Sequence, residues 1–500
     1  MSSNVYTIKI AGPAGAGIKS GGQILSKTLI SLGFHIFDYT EYPSLVRGGY
    51  NAYFVSFSID KVLSIHQKVD LDIAINDYTD LAKELGNPLT ANVIALGSIA
   101  YIFDLELDAL KEIVSAQYGK YAEINVKAID LGYEYAKKNF SDKQIKIQKP
   151  SNRVKLSNNF NDGNESTAWG FIKAGGDFYA AYPMTPSTGI LHFLAAKQAD
   201  FNIKVIHPED EISAINMVAG AAFAGARAAT GSSGGGFALM TEAVSLLGAS
   251  DVGAVIYLVS RPGPATGLPT WTAQGDLLYA IHAGHGEFPK VVLSPSSQQE
   301  SFELSRLAVN IAIKHQVPVI FVSDKMIGES ASDTTDFATE KEIIEASPRI
   351  LPGTVGKEFL ANSYEHDDKN GYSTENAALT KKMVDARLAK IKKLLPDLPE
   401  PTIYNSQSKN LIITWGSVTG AVLEAKLPDH AIMQFKTLWP INPKIKNIID
   451  TYKNITVIEN NATSQLTTVL KSQFDFNPDK IIVKYDGRPF YPEEINEYFK

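Results

Sequence analysis

The sequence predicts an α/β fold class built as three α/β domains, and three observations carry that expectation. Short runs of β-branched and aromatic residues alternate with helical periodicity along nearly the whole chain. At 500 residues the chain exceeds what one hydrophobic core can organise. A polar stretch without periodicity, "QKPSNRVKLSNNFNDGN" at 148–164, reads as a linker between a first block and the rest.

In the first block, 1–147, "VYTIKIAG" reads as a buried strand, followed by a glycine-rich turn and the helix-like "GGQILSKTLISLG". "AYFVSFS" and "NVIALGS" read as further strands. A second unit spans 165–345, with "FYAAY", "IKVIHP", the segment ending at Thr230, "GAVIYLVS" and "PVIFVS" at or near strands. A connecting segment, 346–406, holds a polar loop around 362–376 and the charged helix "TKKMVDARLAKIKKLL". The last unit, 407–500, repeats the alternation through "NLIITWGS", "ITVIENN" and "IIVKYDG".

Composition narrows the function classes. A net charge of −7 gives no electrostatic reason to expect nucleic acid as a partner. With no cysteine, the chain holds neither a disulfide nor a thiolate-bound iron–sulfur cluster. The start, "MSSNVYTIKI", does not read as a signal peptide, and the longest apolar run, Met217 to Ala226, is about half a membrane span. The expectation is a soluble, cytoplasmic protein with no membrane partner.

Several stretches invite chemistry. "AGPAGAGIKSGG" has Gly12 and Gly17 at the Walker separation, but Ile18 takes the lysine position and Lys19 comes one residue late. A side chain is thereby turned by about 100°, and a nucleotide-hydrolysing loop is excluded. A strand, turn and helix remain, whose free N–H groups suit an anion; a tight turn chosen for packing explains them equally.

In "HPEDEISAINMVAGAAFAGARAAT", Glu209 shares a helical face with Ser213 and Asn216. Glu211 instead leads the apolar stripe of Ala214, Ile215, Val218 and Ala222. An acid in that phase is desolvated, which suits a proton donor or a partner for a basic ring nitrogen. Helix-dipole preference alone also places acids at such a start.

Arg261 follows a strong β run in "VIYLVSRPGPATGLPTWTAQGD", where ligands of open α/β sheets sit. It is suited to clamp a carboxylate or phosphate, with Thr266, Thr270 and Gln274 offering polar contacts; a surface arginine on a loop is the alternative. "SSGGGF" precedes an apolar helix and permits either backbone approach to a ligand or tight packing. "YEHDDKNGYSTE" clusters Glu365, His366, Asp367 and Asp368, which reads as a solvated loop rather than a metal site. In "YAAYPMTPSTGI", Thr185 suits an N-cap, with Pro186 at the first helical position.

Taken together, "YPMTPST", "EDEISAINMVAGAAFAGARAATGSSGGGFALMTEA" and "SRPGPATGLPT" closely resemble the α subunit of the 2-oxoacid:ferredoxin oxidoreductases. "YEHDDKNGY", "IENN" with Gln465 and Leu466, and "DGRPFYPEEI" resemble its later segments. "GAGIKSGGQILSKTL" and "EYPSLVRGGYN" resemble the γ subunit, which many members fuse ahead of α. The resemblance covers nearly the whole chain. It implies a γ-type domain, a pyrimidine-type thiamine-diphosphate domain and a domain like the transketolase C-terminal one.

The implied reaction is decarboxylation of a 2-oxoacid of the 2-oxoglutarate or pyruvate class with coenzyme A, electrons passing to ferredoxin. A β subunit would hold most of the thiamine diphosphate, Mg²⁺ and a [4Fe-4S] cluster, and the active form would be a heterodimer or a dimer of heterodimers. Glu211 falls where the family's glutamate meets N1′ of the aminopyrimidine, favouring the tautomer whose exocyclic nitrogen deprotonates C2. Tyr182, Thr185, Arg261 and Thr266 match substrate-pocket positions, with Arg261 pairing the carboxylate. Pro183, Gly234 and Gly235 match positions beside the cofactor.

Met184 replaces the usual isoleucine, and a glycine of "SSGGGF" replaces a frequent proline. The N-terminal loop departs from Gly-Gly-Gln-Gly, so Gly15, Gly17 and Arg47 are carried as candidates for coenzyme A. Alternatives are an arylpyruvate-directed relative and a non-catalytic nucleotide- or CoA-binding module.

Overall fold

A computed structural model describes residues 4–44, 49–156, 159–337, 340–360 and 362–500. The chain divides into two compact units, the first comprising Met1–Asn161, Ser330–Asp336 and Tyr491–Lys500, the second Asp162–Glu329 and Phe337–Phe490.

The first unit is organised on a six-stranded sheet in the order Leu71–Ala74, Tyr6–Pro13, Tyr50–Ser58, His35–Glu41, Ala331–Asp333, Phe160–Asp162. Tyr6–Pro13 runs antiparallel to Tyr50–Ser58, from Tyr6 opposite Phe57 to Pro13 opposite Tyr50, and parallel to Leu71–Ala74. Its longer helices are Ile18–Ser31, Ala91–Ile102, Leu107–Tyr118 and Ala122–Asn139. "NVIALGS", expected as a strand, lies inside helix Ala91–Ile102, every residue of which is buried. An element buried on all sides shows no polar face, and its helical period disappears from the sequence.

Two returning segments are tied into this unit by charge. Asp333 pairs with His35 and Lys61, each at 2.7 Å. Glu493, on helix Pro492–Glu497, meets His66 at 3.1 Å. The stretch expected as a linker is engaged here too, since Val154 N–H donates to the Ser31 carbonyl at 2.9 Å.

The second unit holds two sheets. The larger has seven strands in the order Thr437–Trp439, Val291–Leu293, Val319–Asp324, Val255–Ser260, Ala228–Ser232, Phe178–Ala180, Lys204–Ile206. All neighbours are parallel except Thr437–Trp439. Its central strands, Val255–Ser260 and Val319–Asp324, are buried throughout, as a sheet covered on both faces requires. The smaller sheet runs Thr402–Tyr404, His430–Phe435, Asn410–Trp415, Asn454–Glu459, Lys480–Val483, parallel except for the first strand.

Glu459 ends a strand of that sheet fully buried and accepts from Trp415 Nε1, Asn461 Nδ2, Ser464 Oγ and the N–H groups of Leu466 and Thr467. Those donors make the buried carboxylate tolerable. In the 362–376 loop, Asp367 accepts the N–H groups of Lys369 and Asn370. Glu365 pairs with Arg387 at 2.8 Å and Asp368 with Lys382 at 2.7 Å, both on helix Ala377–Leu394. Among the described residues no cluster of His, Asp and Glu is arranged to hold a metal, and no helix is long and apolar enough to cross a membrane.

Candidate active site

Four adjacent parallel strands of the larger sheet, Lys204–Ile206, Phe178–Ala180, Ala228–Ser232 and Val255–Ser260, deliver their carboxyl ends side by side. In open α/β sheets that edge is where loops converge on a ligand. The loops leaving it carry Tyr182 to Ser187, Glu211, Ser233 to Gly236, and Arg261 to Asp276.

Glu211 is the first residue of helix Glu211–Phe223, with Asp210 as its cap through Ser213 N–H at 2.8 Å. Capping by Asp210 satisfies the helix start and frees Glu211 from that task. Its phase buries it with Ala214, Ile215, Val218 and Ala222, while Glu209 and Asn216 are exposed. Glu211 is 4% exposed, and its Oε1 has no hydrogen-bond partner. An unpartnered buried carboxylate oxygen costs free energy unless a ligand group completes it.

Opposite stands the start of helix Gly234–Ala249. The glycines expected ahead of this helix form its first turn. A Cβ on Gly236 would lie 2.5 Å from Glu211 Oε1 and 2.1 Å from Ser232 Oγ, so only glycine admits both side chains. Gly235 faces open space, and its backbone is accessible.

Thr185 is not a helix cap. The following helix is Thr188–Phe201, capped at Ser187 with no side-chain bond. Ser187 closes a preceding turn instead, its N–H and its Oγ both donating to the Met184 carbonyl at 2.9 and 2.7 Å. That turn spends the residues expected to open the helix. The Thr185 carbonyl accepts from Arg261 Nη1 at 2.7 Å, and Ser232 Oγ lies 3.7 Å from Met184 Sδ. Thr185, Arg261, Glu211 and the glycine turn are thus brought to one sheet edge. Burial pulls the Arg261 guanidinium below its ordinary value, with Asp276 opposing the shift.

Asp276, Ser232, Ser233, Ser260 and Gly236 belong to the same edge; the "SSGGGF" run is marked in the sequence as a whole, but neither Asp276 nor Ser260 is. A Cβ on Gly234 would lie 2.8 and 3.0 Å from the two Asp276 carboxylate oxygens. Buried without hydrogen-bond partners are Glu211 Oε1, Thr230 Oγ1, Ser233 Oγ, Ser260 Oγ, Thr270 Oγ1 and Asp276 Oδ2. Such a concentration of orphaned polar atoms fits a polar ligand group. Ser232 and Ser260 are the last residues of their strands, the one signal the sequence carries for them.

The remaining expected site residues make other contacts. Tyr182 is 39% exposed and packs edge-on against His207, ring centroids 5.8 Å apart; Pro183 beside it is half-buried. Thr266 is exposed in the turn closed by Leu268 N–H on the Pro262 carbonyl. Gln274 is buried as a brace, donating to the Trp415 carbonyl and accepting from Asn460 N–H, each at 2.8 Å. In the first unit, Gly15 and Gly17 adopt φ of 89° and 75° in the turn before helix Ile18–Ser31. Arg47 lies outside the described residues.

Comparisons with known proteins bear on the whole chain. The family model described as "Pyruvate flavodoxin/ferredoxin oxidoreductase, thiamine diP-bdg" matches residues 170–369, and "Pyruvate ferredoxin/flavodoxin oxidoreductase" matches 7–79 and 72–135. The 2-oxoacid:ferredoxin oxidoreductase subunit alpha of Saccharolobus solfataricus is 32% identical over 483 residues, covering 85% of this chain and 75% of the relative. Its counterpart from a Sulfolobus species is 26% identical, covering 98% of this chain and 95% of the relative. The solved 2-oxoglutarate:ferredoxin oxidoreductase of Magnetococcus marinus, with 2-oxoglutarate, coenzyme A and succinyl-CoA bound, superposes with a TM-score of 0.91 at 26% identity. That match covers 100% of this chain and 99% of the solved one. On a thiamine-diphosphate-binding match laid over the strand edge that carries Glu211, and a relative matched along most of its length, the chain belongs to the 2-oxoacid:ferredoxin oxidoreductase alpha-subunit family.

Proposed function

We propose that this chain works with a β subunit to decarboxylate a 2-oxoacid of the 2-oxoglutarate or pyruvate class oxidatively, forming an acyl-CoA and reducing ferredoxin. The observation that carries this is Glu211, a buried carboxylate whose Oε1 is left unpartnered beside a glycine helix start. The site fits the aminopyrimidine end of thiamine diphosphate on that ground: one buried acid and an accessible backbone turn. When bound, the cofactor supplies a nucleophilic ring carbon and an acceptor for the electrons released with CO₂.

The chain's own residues then have distinct tasks. Glu211 holds a proton at the pyrimidine N1′ atom, in a pocket where burial strengthens the contact. Arg261, braced by the Thr185 carbonyl, binds the substrate carboxylate, and the Thr185 hydroxyl bonds the carboxylate or keto oxygen. Gly234, Gly235 and Pro183 form the wall beside the cofactor, with Tyr182 and Thr266 at the outer mouth. Gly15, Gly17 and Arg47 are assigned to coenzyme A.

Mg²⁺ and a [4Fe-4S] cluster belong to the β subunit on this reading, which the cysteine-free sequence supports. The complex is a cytoplasmic heterodimer or dimer of heterodimers. By sequence order the chain is read as a γ-type domain (1–147), a linker (148–164), a pyrimidine-type domain (165–345), a connecting segment (346–406) and a transketolase-C-like domain (407–500), with 330–336 and 491–500 folding back into the first unit. Co-expression with a cluster-bearing β subunit tests the proposal. The complex should reduce a viologen dye only with both a 2-oxoacid and coenzyme A, and the chain alone should not. Activity of the lone chain would overturn this division of labour.

A further inference from the structure

Asp276 stands where a helix cap is expected and caps nothing. It precedes helix Leu277–His282, yet its side chain makes no capping bond. The Leu278 N–H that such a cap would serve goes to Gln465 Oε1 at 2.9 Å. The carboxylate turns instead toward Gly234, at the first turn of helix Gly234–Ala249, and its Oδ2 is buried without a partner.

The charged and titratable groups facing this carboxylate are few. Arg261, on the loop after strand Val255–Ser260, interacts with it through charge, and Tyr279 lies on the helix that Asp276 precedes. The glycine turn contributes no titratable group, and Gln465, from helix Gln465–Gln473, presents a neutral amide. Glu211 sits farther along the glycine turn, against Gly236. Burial pushes the Asp276 carboxyl above the ordinary carboxylate value, with the nearby Ser260 hydroxyl and the Arg261 guanidinium pulling it back.

Arg261 has one donor already committed to the Thr185 carbonyl. Among the described residues Arg261 and Asp276 form no ion pair, and Asp276 Oδ2 has no hydrogen-bond partner. An arriving organic carboxylate would place a second negative charge beside Asp276 in a desolvated site. Like charges in such a setting cannot both persist, and the cheaper response is protonation. Resting on the assignment of Arg261 to the substrate carboxylate, we propose that Asp276 takes up a proton from solvent when an organic carboxylate binds at Arg261. Anion binding and protonation of Asp276 become one coupled event.

Linkage fixes the sign. The coupled proton makes affinity fall as pH rises, by up to tenfold per pH unit between the Asp276 values of the free and occupied sites. The experiment uses the assembled, thiamine-diphosphate-loaded complex and oxamate, an unreactive isostere of a short 2-oxoacid. Calorimetric titrations in two buffers of different protonation enthalpy count the protons exchanged. The expected result is uptake approaching one proton per bound oxamate. It should be lost in Asp276→Asn, whose oxamate affinity should change less with pH than the wild type's.

The outcomes separate. Arg261-dependent binding without proton uptake in the wild-type complex overturns this inference and leaves the functional reading intact. Uptake that survives in Asp276→Asn also overturns it. Oxamate binding unchanged in Arg261→Gln, or no binding at all, overturns the site assignment, and the inference falls with it. The wild-type proton count needs no variant, so a poorly folding Asp276→Asn leaves the test in place.

Discussion

Arg261 Nη1 donates to the Thr185 carbonyl at 2.7 Å, although 76 residues separate the two. The loop after one strand therefore holds the cation that follows another, and the Thr185 hydroxyl is left outside both this bond and the helix cap.

That separation of roles predicts a split for Thr185→Ala. Because the helix starts at Thr188, no cap is lost, and stability should stay within about 0.5 kcal/mol of the wild type. The specificity constant kcat/KM should fall roughly tenfold or more, for the loss of one hydrogen bond to a charged group. Paired thermal unfolding and steady-state kinetics of the complex check this. A large loss of stability with unaltered kinetics would return Thr185 to a capping role.

Glu211→Gln keeps shape and removes the carboxyl group's capacity to give or take a proton. Since Oε1 has no protein partner, unfolding free energy should change by less than about 1 kcal/mol. Proton exchange at C2 of the bound cofactor, followed by NMR in D₂O, should nevertheless drop at least a hundredfold. Undiminished exchange removes Glu211 from the chemistry.

Two neighbouring glycines should respond oppositely to alanine. At Gly236 the new Cβ would lie 2.1 Å from Ser232 Oγ and 2.5 Å from Glu211 Oε1, whereas at Gly235 it meets nothing within 4 Å. Gly236→Ala should cost about 1–3 kcal/mol by overpacking and impair cofactor binding. Gly235→Ala should be neutral or gain up to about 1 kcal/mol, because the position is helical. Denaturant melts of the two variants decide it: equal effects would mean that the close approach of Gly236 to Glu211 is absent.

Lys290 supplies a pH dependence of known sign. Its ammonium is buried, donates to the Ile281 and Ala283 carbonyls, and lies 4.4 Å from the Phe288 ring centre. Burial lowers it from an ordinary 10.5 to about 8. Between those values the unfolded chain keeps a proton that the folded chain has released, so this group makes stability rise with pH across the window. Below it the folded chain carries the whole penalty. Relative to Lys290→Met, the wild type should gain about 1–2 kcal/mol between pH 7 and 10, allowing for residual screening by solvent. A constant difference across that range would contradict the burial.

The residues that were legible in sequence are those governed by a period. Glu211 could be read as buried because its neighbours at helical spacing are apolar, and the strands of the larger sheet announced themselves as unbroken apolar runs. Helix Ala91–Ile102 could not, since burial on every side erases the contrast on which a period depends. Local chemistry also misplaced a helix start: Thr185 and Pro186 have the right preferences, but the turn on Met184 claims them first. Asp276 went unnoticed, and Gln274, read as a polar contact beside Arg261, proved to be a brace, because their partners lie far away in sequence. The approach of Asp276 to Gly234 and the bonds of Gln274 to Trp415 and Asn460 exist only after the chain has folded back.

The ion pairs of Asp333 with His35 and of Glu493 with His66 have a consequence for biosynthesis. During translation the first unit starts to emerge before the second, yet one strand of its sheet and one of its helices are made hundreds of residues later. It is begun first and finished last. A ribosome-tethered chain halted before Ser330 should therefore display a sheet edge whose partner strand does not yet exist, a natural client for a chaperone.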